Sequence, residues 1–501
     1  MNSAPRYIRS KAREGRLSTS TKFYQAIGGL PETFKNFAFS TFLLFYYSQV
    51  LAVPPVNAAT IIAAALIIDA FCDPLIGSFS DNLKTGLGRR HALMFISAAP
   101  LGLGLYLTFS PPVALAGGEL LVWMFVTVTL TNISMSLFAV PWTALFAEFS
   151  DDSSERTAVV TYRFAVGVIG SLTFTALTWR FVFARTAAFH LGQLNPHAYQ
   201  VFAPVLAVSA VAAIMLTTQL TRREIPFLLQ PHAENTAFHL RQVWRDVSGA
   251  LANRDFLILF GCVLTSSAIT GTLTTLNIYL STYFWGLGGE QLQWFSLAIV
   301  GVFAAFASVG ALERRFDKKP LLLACLMLLV VDGSGAVVLR LLNVLPPNGT
   351  PILLALLVAN EVFRGFLGTV LGIVFVAMLA DTIDQQEDVT GHRQEGVFAA
   401  ALAFSGKATA GLGSVIAGVL LAQVIHWPAN GATGAIGTAV ILRLGLIVGV
   451  WTPMLLVVPL LFAARYSITR ERRQATRRSL DHRRTFAMAE GNGPVVAKGN
   501  P

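Results

Sequence analysis

Two aspartates, Asp69 and Asp73, stand four residues apart in the stretch Ile67 to Asp81, which reads IIDAFCDPLIGSFSD and is otherwise almost entirely apolar. The ten residues before Asp69 carry no charge. Spacing of i and i+4 puts both carboxylates on one face of a helix. A charge at mid-membrane costs at least ~3 kcal/mol even on insertion scales, so a pair on one face calls for a cation, a proton or basic partners. Pro74 follows directly. It has no backbone N–H, which frees the carbonyl of Ala70 one turn earlier. Two carboxylates and a freed carbonyl are hard oxygen donors, suited to a proton or a small alkali cation. The competing reading is a buried ion pair that only fixes helix packing, but one acid would suffice for that.

Composition says what must position these groups. The chain has 501 residues, 54% hydrophobic and 13% charged, against about 25% charged in soluble domains; this is the composition of a membrane protein. A crossing helix needs about 20 apolar residues. Twelve such runs occur, at 34–54, 57–79, 92–110, 119–147, 163–184, 200–220, 256–284, 291–312, 321–343, 351–380, 397–425 and 435–464. The net charge of +10 follows the topology rather than a nucleic-acid surface: 29 of 37 Lys and Arg lie in the termini and in every second loop, and only Arg185 lies clearly in a loop on the other side. Basic loops stay cytoplasmic, so both termini are expected inside an inner or plasma membrane. Cys72, Cys262 and Cys325 all fall in apolar runs, which implies no disulfide framework. The basic N-terminus leads to no cleavable apolar segment and reads as no signal peptide.

The chain also repeats itself. Gly77-Ser-Phe-Ser-Asp81, then Lys84 and Gly88-Arg89-Arg90, is echoed six spans later by Gly310-Ala-Leu-Glu-Arg-Arg-Phe-Asp-Lys318-Lys319-Pro320. Two copies predict two six-helix bundles. The expected divisions are a basic N-terminus (1–33), a first bundle (34–220), a central loop (221–255), a second bundle (256–464) and a basic tail (465–501). Internal repeats of this kind mark secondary transporters, with the solute site between the halves near the bilayer midplane. In the central loop Leu240, Val243, Trp244, Val247 and Leu251 share one helical face, which predicts an amphipathic surface helix.

The segment from Asp69 to His91, DAFCDPLIGSFSDNLKTGLGRRH, resembles the helix-two signature of the glycoside–pentoside–hexuronide:cation symporters, the melibiose permease branch of the major facilitator superfamily. STFLLFYYSQV (Ser40 to Val50) is similar to that family's first helix, and VPWTALFAEFSDDSSERTAVVTYR (Val140 to Arg163) to its junction of helices four and five. MLADTIDQQEDVTGHRQEGVFAAALAFSGK (Met378 to Lys407) is similar to its tenth loop and eleventh helix. The resemblance implies the major facilitator fold, all-α with twelve transmembrane helices. It also implies a coupling cation, H+ or Na+, held at Asp69 and Asp73, with the helix-four hydroxyl at Ser136 and the helix-eleven lysine at Lys407. It places Trp142 and Arg163 near the sugar, although Trp142 could equally be packing and Arg163 a helix-end anchor. No other cofactor or metal is implied.

Two positions depart from that pattern. The acids that grip sugar hydroxyls in melibiose permease match Thr33 and Ala139 here; Glu32 is adjacent to Thr33 but faces another way on a helix. Cys72 stands where an asparagine flanks the cation, and cysteine is a poor sodium ligand, which raises proton coupling to the level of sodium. Elsewhere, Asp332 and Arg340 lie two turns apart in span nine, while Glu361 and Arg364 are i,i+3 in span ten. Local neutralisation explains the second pair and is the default, and lining of the second half's cavity is the alternative. Asp81, Arg89, Arg90, Glu148, Arg156 and Asp384 gather at cytoplasmic span ends, where charges from the two halves could form a gate. Asn348 opens an NGT sequon of little weight, and GKATAGLG lacks the order of a phosphate loop. No enzyme motif stands out. Three functions are therefore weighed: a cation-coupled symporter of a glycoside or related small polar solute, a lysolipid symporter of the same fold, and a non-transporting sensor or scaffold. The expected partners are a small solute and membrane lipid, with no nucleic acid and a monomer compatible with everything above.

Overall fold

The computed structural model describes residues 7–9, 16–83, 85–149, 152–231, 253–390, 411–428, 436–476 and 478–480. Among these, ten helices are long and apolar enough to cross a membrane. They are span two (Pro55–Asn82), three (His91–Phe109), four (Gly117–Phe149), five (Ser153–Leu177), six (Pro196–Thr221) and seven (Arg254–Tyr279), then eight (Gly289–Arg315), nine (Lys318–Leu341), ten (Pro351–Thr390) and twelve (Thr438–Ala464). Span one starts as Leu30–Phe37 and continues through two π turns, Ala38–Leu43 and Tyr46–Val50. Span eleven is described over Gly411–Val424. Apolar surroundings leave every backbone polar group to be satisfied inside its own helix, which is why these segments are helical almost without interruption.

The packing repeats with a period of six spans. Span two lies against four, three against four and six, and one against six; eight lies against ten, nine against ten and twelve, and seven against twelve. The halves meet where span one touches seven, two touches eleven, and five touches eight. Small residues set these distances. A Cβ on Gly418 would overlap Ala59, so spans eleven and two come into backbone contact. A Cβ on Gly301 would overlap the Val362 carbonyl, which locks span eight onto span ten.

Three features differ from the sequence expectation. A helix, Thr19–Ile27, precedes span one and packs on spans five and six, inside what reads as a basic tail. Its buried Thr21, Gln25 and Ala26 form a narrow face that the surrounding lysines and arginines obscure. Thr21 Oγ1 donates to Glu224 Oε1 over 2.7 Å, and the Leu17 N–H donates to Glu155 Oε1 over 2.7 Å. A two-stranded antiparallel pair joins Tyr7–Arg9 to Leu229–Pro231 in an otherwise all-α chain. Span ten, expected to end near 380, runs 40 residues, about 60 Å at 1.5 Å per residue, or about twice the hydrocarbon thickness. The helix expected from Leu240 to Leu251 lies outside the described residues.

At the far end of the bundle, away from residues 16–27 and 466–473, spans one, five, seven and eleven each finish in a five-residue π turn. One and seven, and five and eleven, are six spans apart, so the repeat extends to the helix ends. Two residues beyond three of these turns, Ala52, Gly286 and His426 take left-handed backbone angles. The next N–H then folds back to a helix carbonyl: Val53 to Tyr47, Leu287 to Ser281 and Trp427 to Leu421, at 2.9, 2.8 and 2.8 Å.

Candidate cation and solute sites

Span two has a clear outer face. Ile67, Phe71 and Leu75 are 60%, 73% and 69% exposed, as a lipid-facing stripe at i,i+4 spacing requires. Asp69 lies on the opposite side and is only 4% exposed. There it accepts a hydrogen bond from Ser136 Oγ of span four, 2.7 Å to Oδ1. Asp73 is half-buried one turn further along the same face, and Cys72 is a half-buried free thiol beside it. Pro74 sits on the exposed side, and the helix passes through it unbroken. One residue passed over in the sequence shares the Ser136 side of span four. Asn132, one turn before Ser136 in span four, is buried, and its Oδ1 has no hydrogen-bond partner. The i,i+4 relation to Ser136 was the available signal. Lys407 lies outside the described residues.

The four candidates for solute contact sit on spans one, four and five. Trp142 is buried and doubly tied to the helix before span one: its Nε1–H donates to the Gln25 carbonyl (2.9 Å), and Gln25 Nε2 donates to the Trp142 carbonyl (3.0 Å). Gly28 permits this, because any Cβ there would overlap the indole. The Arg163 guanidinium lies 3.7 Å from the centre of the Trp142 ring, a cation–π stack that covers one face of the indole. Thr33 Oγ1 turns back to the Gly29 carbonyl at 2.9 Å, and Ala139 is half-buried one turn beyond Ser136.

Three of the six gate candidates converge. Arg89 Nη2 and Arg90 Nε donate to Glu148 Oε1 at 2.6 and 3.1 Å, and Arg90 Nη1 donates to Ser80 Oγ at 3.0 Å. All of these groups belong to the first half, so here they clamp the loop after span two to the end of span four. Arg156 is exposed, Asp384 is half-buried near the end of span ten, and the Asp81 side chain lies outside the described set. The second half has a counterpart that sequence reasoning missed. Lys318 Nζ lies 2.6 Å and Arg473 Nη1 3.1 Å from Asp381 Oδ2, and Arg473 Nη2 lies 3.2 Å from Asp317 Oδ1. Lys318 stood in the repeat; its partner Asp381, distant in sequence, did not.

A cavity of about 220 Å³ lies between the halves. Spans one, five, seven, eight and ten line it, with Thr41, Thr175, Thr274, Asn277, Ser281 and Ser296 as its hydroxyl and amide groups and Glu361 as its carboxylate. Thr33 is on the same face of span one as the lining residues Phe37 and Thr41, one turn short of them; Trp142, Arg163 and Ala139 are not in the lining. Behind Glu361 stands an ion network. Arg364 Nη1 donates to Glu361 Oε1 at 2.7 Å, its Nε to Asp332 Oδ2 at 3.0 Å and its Nη2 to Asn360 Oδ1 at 3.1 Å. Asp332 therefore pairs with span ten rather than with Arg340, which donates to the Pro346 carbonyl at 2.9 Å. The i,i+3 pairing of Glu361 and Arg364 is present alongside it.

A family model described as MFS/sugar transport protein matches residues 24–470. The isoprimeverose transporter of Lactiplantibacillus pentosus is 24% identical over 76% of this chain and 75% of its own. The sodium-dependent lysophosphatidylcholine symporter 1 of Xenopus tropicalis is 30% identical over 34% of this chain and 33% of its own. The solved structure of a point mutant of the nucleoside transporter NupG shares the fold, with a TM-score of 0.61 at 12% identity over 88% of this chain and 99% of that one. These relatives are membrane transporters, not enzymes. The chain belongs to the MFS/sugar transport family, and within the major facilitator superfamily to the glycoside–pentoside–hexuronide:cation symporters.

Proposed function

We propose that this symporter couples a proton or sodium ion, held at Asp69, Asp73 and Ser136, to a glycoside or related small polar solute by alternating access of its two halves. The observation that carries the reading is the sealed Asp69–Ser136 hydrogen bond, with a second carboxylate one turn away. Asn132 Oδ1 adds one more hard oxygen to that set. Lys407 is assigned the competing charge: opposite charges about 4 Å apart interact by ~4 kcal/mol at an effective dielectric near 20, enough to keep an empty site neutral. Cation entry releases the lysine, and by linkage bound solute raises cation affinity by the same factor. The end bearing residues 16–27 and 466–473 is placed in the cytoplasm, in keeping with the loop charges. Arg89, Arg90, Glu148 and Asp384 are then the cytoplasmic contacts that re-form between halves when that side closes.

The solute class rests on the cavity. Hydroxyl, amide and carboxylate groups are set singly in a mostly apolar wall, as in a site that orients a small ligand with a few polar groups. Its volume of about 220 Å³ lies below the ~300–1,000 Å³ usual for drug-sized ligands. That suits a sugar ring better than a lysolipid chain, so the lysolipid reading stands second. The test is uptake into vesicles of purified protein with sodium and proton gradients imposed separately. Accumulation of a glycoside should follow one gradient and vanish in Asp69→Asn and Asp73→Asn, while energy-independent exchange survives. Accumulation by both variants would remove the cation site from span two.

A further inference from the structure

The first half lacks the two acids that the resemblance leads one to expect, yet the cavity is not without a carboxylate. It comes from the other half. We propose that Glu361 of span ten is the group that grips the solute's hydroxyls, and that the negative wall it belongs to selects neutral polyhydroxy solutes over uronic acids. This rests on the symporter reading above.

Two carboxylates share one guanidinium in this wall. Asp332 is sealed between spans nine and ten, with its side chain 1% exposed, whereas Glu361 is 18% exposed and lines the cavity. Arg364 gives Nε to Asp332, Nη1 to Glu361 and Nη2 to Asn360, so one positive charge is divided between two carboxylates. The three charges sum to a net −1. Glu361 Oε1 accepts from Arg364, and the carboxylate is part of the cavity wall, where a carboxylate takes hydroxyl donors well. Thr274, Asn277 and Ser281 of span seven and Ser296 of span eight supply neutral partners around it. Among the described residues that line the cavity there is no lysine or arginine, so a solute carboxylate would meet the net negative charge of this wall. The backbone just past Glu361 is fixed: Gly301 and Gly365 bring spans eight and ten into contact at Val362 and over the following turn.

The test uses a matched pair, methyl β-D-glucoside and methyl β-D-glucuronide, which differ only in carrying a hydroxymethyl or a carboxylate at one ring carbon. Counterflow is measured in vesicles of the full-length protein, with cation binding followed separately. The wild type should prefer the glucoside at least tenfold. Glu361→Gln should raise the glucoside KM at least tenfold and narrow the preference, with cation binding unchanged. Glu361→Asp, which keeps the charge on a shorter arm, should restore discrimination against the glucuronide while the glucoside KM stays raised. A wild-type KM in Glu361→Gln, or equal wild-type use of the two sugars, overturns the assignment and leaves the symporter reading intact. A wild type that moves neither these nor any other glycoside under either gradient overturns that reading, and this one with it.

Discussion

The indole N–H of Trp427 donates to Oε1 of Gln49 across 2.9 Å, tying the end of span eleven to the end of span one. Tyr283 donates to the same oxygen at 2.8 Å, and Ser48 and Tyr279 share a hydrogen bond of 2.5 Å. Gln193 Nε2 adds bonds to Thr282 Oγ1 (3.0 Å) and to the Leu287 carbonyl (2.9 Å). The far end is thus closed mainly by neutral hydrogen bonds between halves. Among the described residues, the ion pairs of the opposite end each stay within one half.

A closure built from neutral bonds should be adjustable in small steps. Each is worth about 1 kcal/mol net, or roughly fivefold in an equilibrium. Trp427→Phe should therefore shift the molecule several-fold toward opening at the far end. Labelling of Ile278→Cys, a buried cavity residue of span seven, by a maleimide that cannot cross membranes should accelerate correspondingly in a background without native cysteines. Unchanged labelling would mean that the hydrogen bonds do not hold this end shut.

Ser136→Ala removes a donor to a buried carboxylate. Hydrogen bonds to charged groups are worth about 1.5–3 kcal/mol, so apparent cation affinity should fall roughly tenfold or more, with the protein still folded. Ser136→Thr should recover most of it. Cation titration of solute exchange reads both, and an unaltered half-saturation in Ser136→Ala would remove the hydroxyl from the site.

The left-handed positions past the π turns make opposite demands on side chains. An L-residue held there costs roughly 1–2 kcal/mol, and glycine does not. Gly286→Ala should lower thermal stability in detergent by about that amount. Ala52→Gly and His426→Gly should raise it or leave it level, since glycine also gives the unfolded chain more freedom.

Glu148 is buried against two guanidiniums, and removing one partner of a buried pair costs ~3–5 kcal/mol. Glu148→Gln should sharply reduce folded yield. Arg156→Ala, at an exposed site, should stay within about 0.5 kcal/mol of wild type. Size-exclusion recovery after heating compares the two. Equal losses would show that burial does not govern this end.

Asp152 accepts from the backbone N–H and the hydroxyl of Ser154, both at 2.9 Å, which hold its carboxyl below the ordinary range. A lowered folded value contributes stability above the unfolded pKa and loses it as pH falls through the folded one. The first turn of span five should therefore loosen in acid. Amide exchange there should rise as pH drops below about 4, after correction for intrinsic rates, and Asp152→Asn should flatten the response.

Much was legible in one dimension. Apolar run length marks the spans because a bilayer has a fixed thickness, and the i,i+4 spacing of Asp69 and Asp73 defines a face because a helix has a fixed period. The exposed stripe Ile67, Phe71, Leu75 opposite Asp69 follows from the same arithmetic. What meets that face was not legible. Whether Asp332 answers to Arg340 on its own helix or to Arg364 on the next depends on the rotation and depth of two helices, and close glycine packing sets both. The same holds for Trp142, whose ring is covered by Arg163 and pinned to Gln25 from a helix hidden in a basic tail. It holds for Glu361, which looked locally neutralised until the packing of spans eight and ten turned it toward the cavity. Sequence spacing states which residues share a helix face; only the assembled bundle states what that face meets, because contacts between helices depend on rotations and offsets that no single helix encodes.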